Sequence, residues 1–263
     1  MASYAYFVKI KVLMALSYRF EAFSATLMQF IVLAVGAFFW RAVYAGRAAV
    51  QETTLEQMLV YTVMSVLLNC FFSTGVEEDL RGRIGQGEIA VDIIKPINLF
   101  GMYLAGDVGQ IVVNMAQKGL PLLLFAWLFV AKPVPASLAG AALFVCSACM
   151  SFLLLWLIAA VFGLLNFWLI DIGNIGGVKN YLIAFLSGSV VPLWFFPAWV
   201  QKAMAFLPFV YIYQTPISFY IGRIPPGEAP WILALQLGWA LVFFGLFLLV
   251  KRKAMGHLIV QGG

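Results

Sequence analysis

Apolar residues fill long unbroken stretches of this chain, and the polar residues gather between them. A helix needs about 20 apolar residues to cross a hydrocarbon core about 30 Å thick. Six stretches reach or approach that length: 22–43, 55–74, one within 100–130, one within 136–170, the shorter 178–195, and 231–250. Cutting the fourth near Ser151 would leave two short halves with no turn residues between them, so it reads as one long helix. The pattern predicts an all-α integral membrane protein, a single transmembrane domain over 1–263 with six transmembrane helices. Ahead of them, residues 1–20 read as a helix lying in the interface. Tyr6, Ile10, Leu13, Ser17 and Phe20 fall near one face. Lys9, Lys11, Arg19 and Glu21 interrupt the apolar run there, which argues against a cleaved signal.

Composition supports the membrane reading. Of 263 residues 64% are hydrophobic and 10% charged, against about 25% charged in soluble domains. The net charge of +5 does not point to nucleic acid, because the basic residues sit between the apolar runs, where they set topology. With the N-terminus inside, ten of the 16 Lys and Arg fall on the cytoplasmic side: Lys9, Lys11, Arg19, Arg81, Arg83, Lys95, Lys179, Lys251, Arg252 and Lys253. Five fall outside (Arg41, Arg47, Lys132, Lys202 and Arg223), and Lys118 lies within a span. Both termini are therefore expected in the cytoplasm.

Three polar features stand out against this background. The first is the charged loop 76–98 after the second span, expected to be cytoplasmic. Gly82, Gly85 and Gly87 punctuate it, and Glu88–Ile94 then has room for about two helical turns before Pro96 stops them. Ile89, Ile93 and Ile94 share an edge with Asp92 elsewhere on the turn, a shape that can dock in a groove on a partner. The second is a stripe on the third span, Asp107, Gln110, Asn114 and Gln117, with Lys118 adjacent. Thr62, Ser65, Asn69 and Ser73 repeat it weakly on the second span. Such a stripe must face protein or water, since a charge in lipid costs about 2.5–3.5 kcal/mol. Asn69, Gln110, Asn114, Gln117 and Lys118 are thus candidates for a translocation path, or else for interhelical hydrogen bonds. The third is the segment 192–226, too apolar for an aqueous loop and too broken by Pro192, Pro197, Pro208 and Pro216 for a full span. Short re-entrant helices at the outer face fit it, with Trp194, Phe195, Phe196 and Phe209 as candidates for an outer gate.

Chemistry beyond transport finds little support. His257 is the sole histidine, and Cys146 and Cys149 form a C-x-x-C without a second ligand pair. The cysteines read as small packing residues. No G-x-S-x-G elbow and no G-K-[ST] phosphate loop occur, so neither a nucleophile nor a nucleotide site is encoded.

The order of features resembles the membrane subunit of ABC-2-type exporters, more narrowly a bacterial permease group of uncharacterised or multidrug and viologen type. The residues that carry the likeness are Gly87-Glu88-Ile89, Ile94-Lys95-Pro96, the run Ser187-Gly188-Ser189-Val190-Val191-Pro192-Leu193-Trp194-Phe195-Phe196-Pro197, Leu207-Pro208-Phe209 and Pro216. The resemblance implies a bacterial inner-membrane permease exporting an amphiphilic or hydrophobic substrate. It implies two copies of a separate ATPase subunit that bind ATP and Mg, a second permease, identical or related, and no cofactor on this chain. In that family the segment Glu88, Ile89, Asp92, Ile93 and Ile94 would be the coupling helix, and Glu77 and Glu78 would mark the cytoplasmic end of the second span. An ion-coupled secondary transporter and a non-transporting membrane scaffold are the rival readings.

Overall fold

The computed structural model describes residue 13 and residues 19–94, 98–169 and 173–256. The expected interfacial helix lies almost entirely outside these residues, as do Lys95, Pro96 and His257. The described residues are mostly helical, with one small hairpin. Helix α1 (Arg19–Val43) leads to strands β1 (Ala49–Val50) and β2 (Thr53–Thr54), which pair antiparallel. Then come α2 (Leu55–Phe71), α3 (Val76–Gly85), α4 (Ile89–Ile94) and α5 (Leu99–Asn114). A π-helical turn at Met115–Gly119 joins α5 to α6 (Leu120–Phe129), and α7 (Leu138–Leu165) and α8 (Gly173–Leu186) follow. Short helices α9 (Ala198–Ala205) and α10 (Gln214–Tyr220) precede α11 (Ala229–Met255).

Among the described residues five helical stretches are long and apolar enough to cross a membrane: Ala22–Val43, Leu55–Gly85, Leu99–Phe129, Leu138–Leu165 and Pro226–Met255. The fourth is a single helix, as its sequence requires. The expected fifth span, 178–195, is different. The described part of its helix, α8, runs for 14 residues to Leu186 and is not among the five. Ser187–Ser189 then turn, with Gly188 at φ +80°, so hydropathy alone overran the helix end. A second correction concerns 76–98. Its first half is helix α3, stacked under α2, rather than a solvated loop. Val76 and Leu80 are buried, while Glu78 and Arg81 pair at the surface.

Local sequence explains the helix starts. Thr54 and Gln57 form a reciprocal capping box at α2. The Asn98 side chain accepts the amides of Phe100 and Gly101 at α5, and Ser137 accepts Gly140 N–H at 2.9 Å at α7. Two ends of the bundle follow. The hairpin end carries β1–β2 and the α6–α7 link; the elbow end carries α3, α4 and the C-terminus of α7.

Helices α2 and α7 are central: 72% and 67% of their most apolar windows are buried, against 17% for α1 and α11. Gly163 lets α3 press on α7, because a Cβ there would stand 2.8 Å from Leu80 and 3.0 Å from the Glu77 Cα. The segment between α8 and α11 dips into the bundle. Ser151, whose hydroxyl donates to the Tyr211 carbonyl at 2.7 Å, lies about 20 Å along α7 from Leu138 at 1.5 Å per residue. The Tyr213 ring meets Phe72 edge to face at 4.9 Å. From there α10 returns to the hairpin end, where the Tyr220 hydroxyl donates to the Pro133 carbonyl at 2.6 Å.

A buried knot fixes this dip. The Gln236 amide donates to the Ser147 carbonyl, the Ser151 hydroxyl and the Tyr211 carbonyl at 2.9–3.1 Å, and its oxygen accepts from the Ser147 hydroxyl at 3.0 Å. Replacing Gln236 by Leu strands these groups, so thermal unfolding of the purified chain in detergent should show a loss of about 1–3 kcal/mol. Leu237→Ala, on the exposed face of the same helix, should change stability little.

Candidate functional site

Residues of the elbow end are tied in series. Arg83 on α3 pairs with Asp92 on α4 at 2.6 Å, and Asp92 is 1% exposed. Ile89 is buried as well, whereas Glu88 and Val91 face outward. The apolar edge expected to meet a partner at Ile89 therefore turns inward, because Arg83 draws the Asp92 side of the short helix against α3. The side chains of Ile93 and Ile94 lie outside the described residues. At the other end of α3, Glu77 pairs with Lys179 of α8. The approach is close: a Cβ on Gly176 would meet the Glu77 Oε1 at 2.7 Å. Lys179 also lies over the Phe162 ring of α7, 5.3 Å from its centroid. Glu77 thus sits where α3, α7 and α8 converge.

Beside this junction runs a cleft between α2, α7 and α8, in two chambers. The lower, of about 180 Å³, is polar and includes Thr74, Glu77, Arg81, Asn166, Lys179 and Asn180. The upper, of about 380 Å³, is walled by Phe72, Leu155, Ala159, Ile183 and Tyr213, with Asn69, Ser73 and Ser189 among its polar atoms. Thr74, Lys179 and Asn180 line both chambers. The upper chamber stops beneath the turn at Ser189, whose carbonyl accepts the Ser65 hydroxyl at 2.6 Å.

Of the residues expected to form a path, Asn69 alone lines these chambers, beside Tyr213. The stripe on the third span lies elsewhere. Gln110 donates to Asn114 at 3.2 Å, and Gln117 and Lys118 fall within the π turn, where the Gln117 carbonyl accepts the Thr26 hydroxyl of α1 at 3.3 Å. A π turn of this kind often marks a functional position in a helix. Asp107 braces the break in the second span. It accepts the Gly75 amide at 2.8 Å and the Trp156 indole N–H at 2.9 Å, joining the α2–α3 bend to α5 and α7.

Of the candidate gate residues, Trp194 lies against the hairpin, and the others are spread along the dip. Trp194 is buried, with Tyr61 edge-on at 5.2 Å and the Arg223 guanidinium 4.4 Å from its ring centroid. Arg223 also donates to the Thr53 hydroxyl at 2.7 Å and the Gln51 carbonyl at 3.1 Å, clasping the hairpin to the aromatic group. Phe195 meets Trp40 at 5.1 Å and Phe196 meets Phe185 at 5.3 Å, while Phe209 is half-buried against the core. Sequence reading missed Lys179, Asn180 and Tyr213 as cleft residues, and took Lys179 only as a topology charge. The signal was the polar run Gly176-Gly177-Val178-Lys179-Asn180 at the head of an apolar stretch. Cys146 and Cys149, expected to pack, are exposed on α7, and Cys70 is buried. Among the described residues no group of three or more His, Cys, Asp or Glu side chains is placed to hold a metal ion.

If Asp107 is the brace of the elbow, Asp107→Leu should destabilise the chain by about 1–3 kcal/mol for each donor left unpaired. Asp107→Asn, which keeps an acceptor oxygen, should cost less. Detergent-phase thermal unfolding of both variants checks the order.

Among curated proteins none matches the chain. A family model described as ABC-2 family transporter protein matches residues 30–262. That match covers nearly all of the chain, and the spanning helices fit it. The chain belongs to the ABC-2 transporter family, as a multi-pass permease subunit of an ABC transporter.

Proposed function

We propose that this permease exports an amphiphilic or hydrophobic substrate from the cytoplasmic side of a bacterial inner membrane, pairing with a second permease, identical or related, and driven by two copies of a separate ATPase subunit. The observation that carries this reading is the cleft: polar at the elbow end, apolar above, and stopped beneath the dipping segment. A substrate with an apolar body and a polar head fits such a chamber pair, and its combined size lies in the range of ligand pockets, about 300–1,000 Å³. The elbow end is then cytoplasmic, with both termini there, in agreement with the excess of Lys and Arg at that end.

The chain encodes no phosphate loop, so in this reading ATP and Mg bind the partner and free energy arrives by contact. The docking surface includes Val91 on α4 and Glu88 just before it, which also pairs with Arg83 at 3.4 Å. Movement there reaches α3 through Arg83–Asp92, and reaches α8 through Glu77–Lys179. Because α8 walls the cleft, displacement of α3 changes its width. Outward release then requires the dipping segment to move, with Arg223 and Trp194 as its clasp.

Isolation from native membranes should recover an ATPase with this chain. Val91→Asp and Glu88→Lys should lower substrate-stimulated ATPase roughly ten-fold, the scale of a lost interface anchor, without impairing membrane insertion. Asn69→Trp, which fills the upper chamber, should block transport while the ATPase still copurifies. Transport by the chain alone in liposomes under a proton gradient would contradict the reading.

A further inference from the structure

Among the described residues, Lys179 is the one charged side chain that lines the upper chamber. It is 8% exposed, yet it reaches both chambers. Around it stand hydroxyls and amides: Asn180 and Thr74 at the junction, and Ser73 and Asn69 above. Its partner Glu77 lines only the lower chamber. Glu78 lies there too, so a ligand whose body occupies the apolar chamber meets the Lys179 cation at the junction, with both carboxylates and Arg81 in the chamber below.

Glu77 also has somewhere to go. Arg81 lines the same lower chamber, held by Glu78 in a surface i,i+3 pair with the Glu78 side chain 79% exposed. Such an exposed pair is worth little, so the Arg81 guanidinium is available to Glu77 at small cost. The ammonium of Lys179 can then change acceptors without leaving a buried carboxylate alone. Exchange of one charge-assisted hydrogen bond for another keeps both charges paired, which is the condition for moving ions at low dielectric.

We propose that Lys179 selects the anionic head group, phosphate or carboxylate, of an amphiphile whose apolar body fills the upper chamber. This rests on the cleft being the substrate path. Binding draws Lys179 off Glu77 and so loosens the tie between α8 and α3, linking occupancy to the elbow.

The test uses the full chain in nanodiscs of zwitterionic lipid, with radiolabelled dodecyl phosphate, dodecyltrimethylammonium and dodecyl maltoside, each measured against empty discs. Wild type should bind dodecyl phosphate saturably and roughly ten-fold or more tighter than the cationic probe, the scale of one charge-assisted contact. Lys179→Gln should lose that preference and keep dodecyl maltoside binding. Lys179→Arg should retain the preference, and Glu77→Gln should retain or strengthen it; these two variants separate recognition from loss of the inter-helix tie. Inorganic phosphate at equal concentration should not displace the dodecyl phosphate. A preference for the cation, or an unchanged preference in Lys179→Gln, would overturn the proposal, as would full displacement by inorganic phosphate. Binding blocked by Asn69→Trp but indifferent to head-group charge would sink this proposal and leave the cleft reading standing. Saturable binding unaffected by Asn69→Trp would sink both.

Discussion

Hydrocarbon offers no hydrogen-bond partner to a peptide group, so irregular backbone at membrane depth has to be covered and bonded by protein. The segment between Ser187 and Tyr220 is broken into short helices and turns, and much of the rest of the fold serves it. Tyr61 and Ser65 of α2 donate to the carbonyls of Gly188 and Ser189. The Gln214 side chain accepts the Leu193 amide at 2.6 Å, and its own backbone amide donates to the Ser187 carbonyl at 3.1 Å. Gln236 and Ser151 hold the Tyr211 carbonyl. Spans that would otherwise be uniformly apolar carry a serine, a tyrosine or a glutamine where the dip passes. The same dip closes the upper chamber, so the polar residues that satisfy the backbone also define where the cleft stops.

The opposite end obeys a different economy of charge. Acidic residues open α3 and Arg83 lies in its last turn, an arrangement that suits the helix dipole. What distinguishes it is that each end makes a cross-element ion pair, Glu77 with Lys179 and Arg83 with Asp92. Helix α3 is pressed against α7 through Gly163 and is braced at its start by Asp107. Tied at both ends, it is suited to carry to α8 the push on α4 that the proposed coupling requires. Helix α8 is the natural recipient, carrying exposed Val178, Tyr181, Leu182 and Phe185.

Much of this was legible in the sequence, and the limits have physical causes. The long spans follow from hydropathy, and the broken aromatic segment from its prolines. The fifth span was overrun because 178–195 is apolar on both sides of the Ser187–Ser189 turn. Helix α3 was read as loop because its charges mask Val76 and Leu80, whose i,i+4 spacing is the hidden apolar edge. On α4 both Ile89 and Asp92 are buried, Asp92 because Arg83, nine residues earlier, reaches it, and no local period reports that contact. The cleft was not legible at all. Thr74, Lys179 and Tyr213 come from three parts of the chain, and only the approach of α8 to the α2–α3 bend, through Glu77–Lys179, and the dip bring them together.

The account depends on the cleft being a water-reached vestibule entered from the elbow end. Thiol labelling tests this directly, in a background where Cys70, Cys146 and Cys149 are replaced. Asn69→Cys and Asn180→Cys line the cleft, and Leu241→Cys sits on the exposed apolar face of α11. A membrane-impermeant maleimide should label the first two from the cytoplasmic side only and leave the third unlabelled from either side. Labelling of the cleft positions from the outer side alone, or no labelling while a lipid-soluble maleimide reacts with all three, would contradict it.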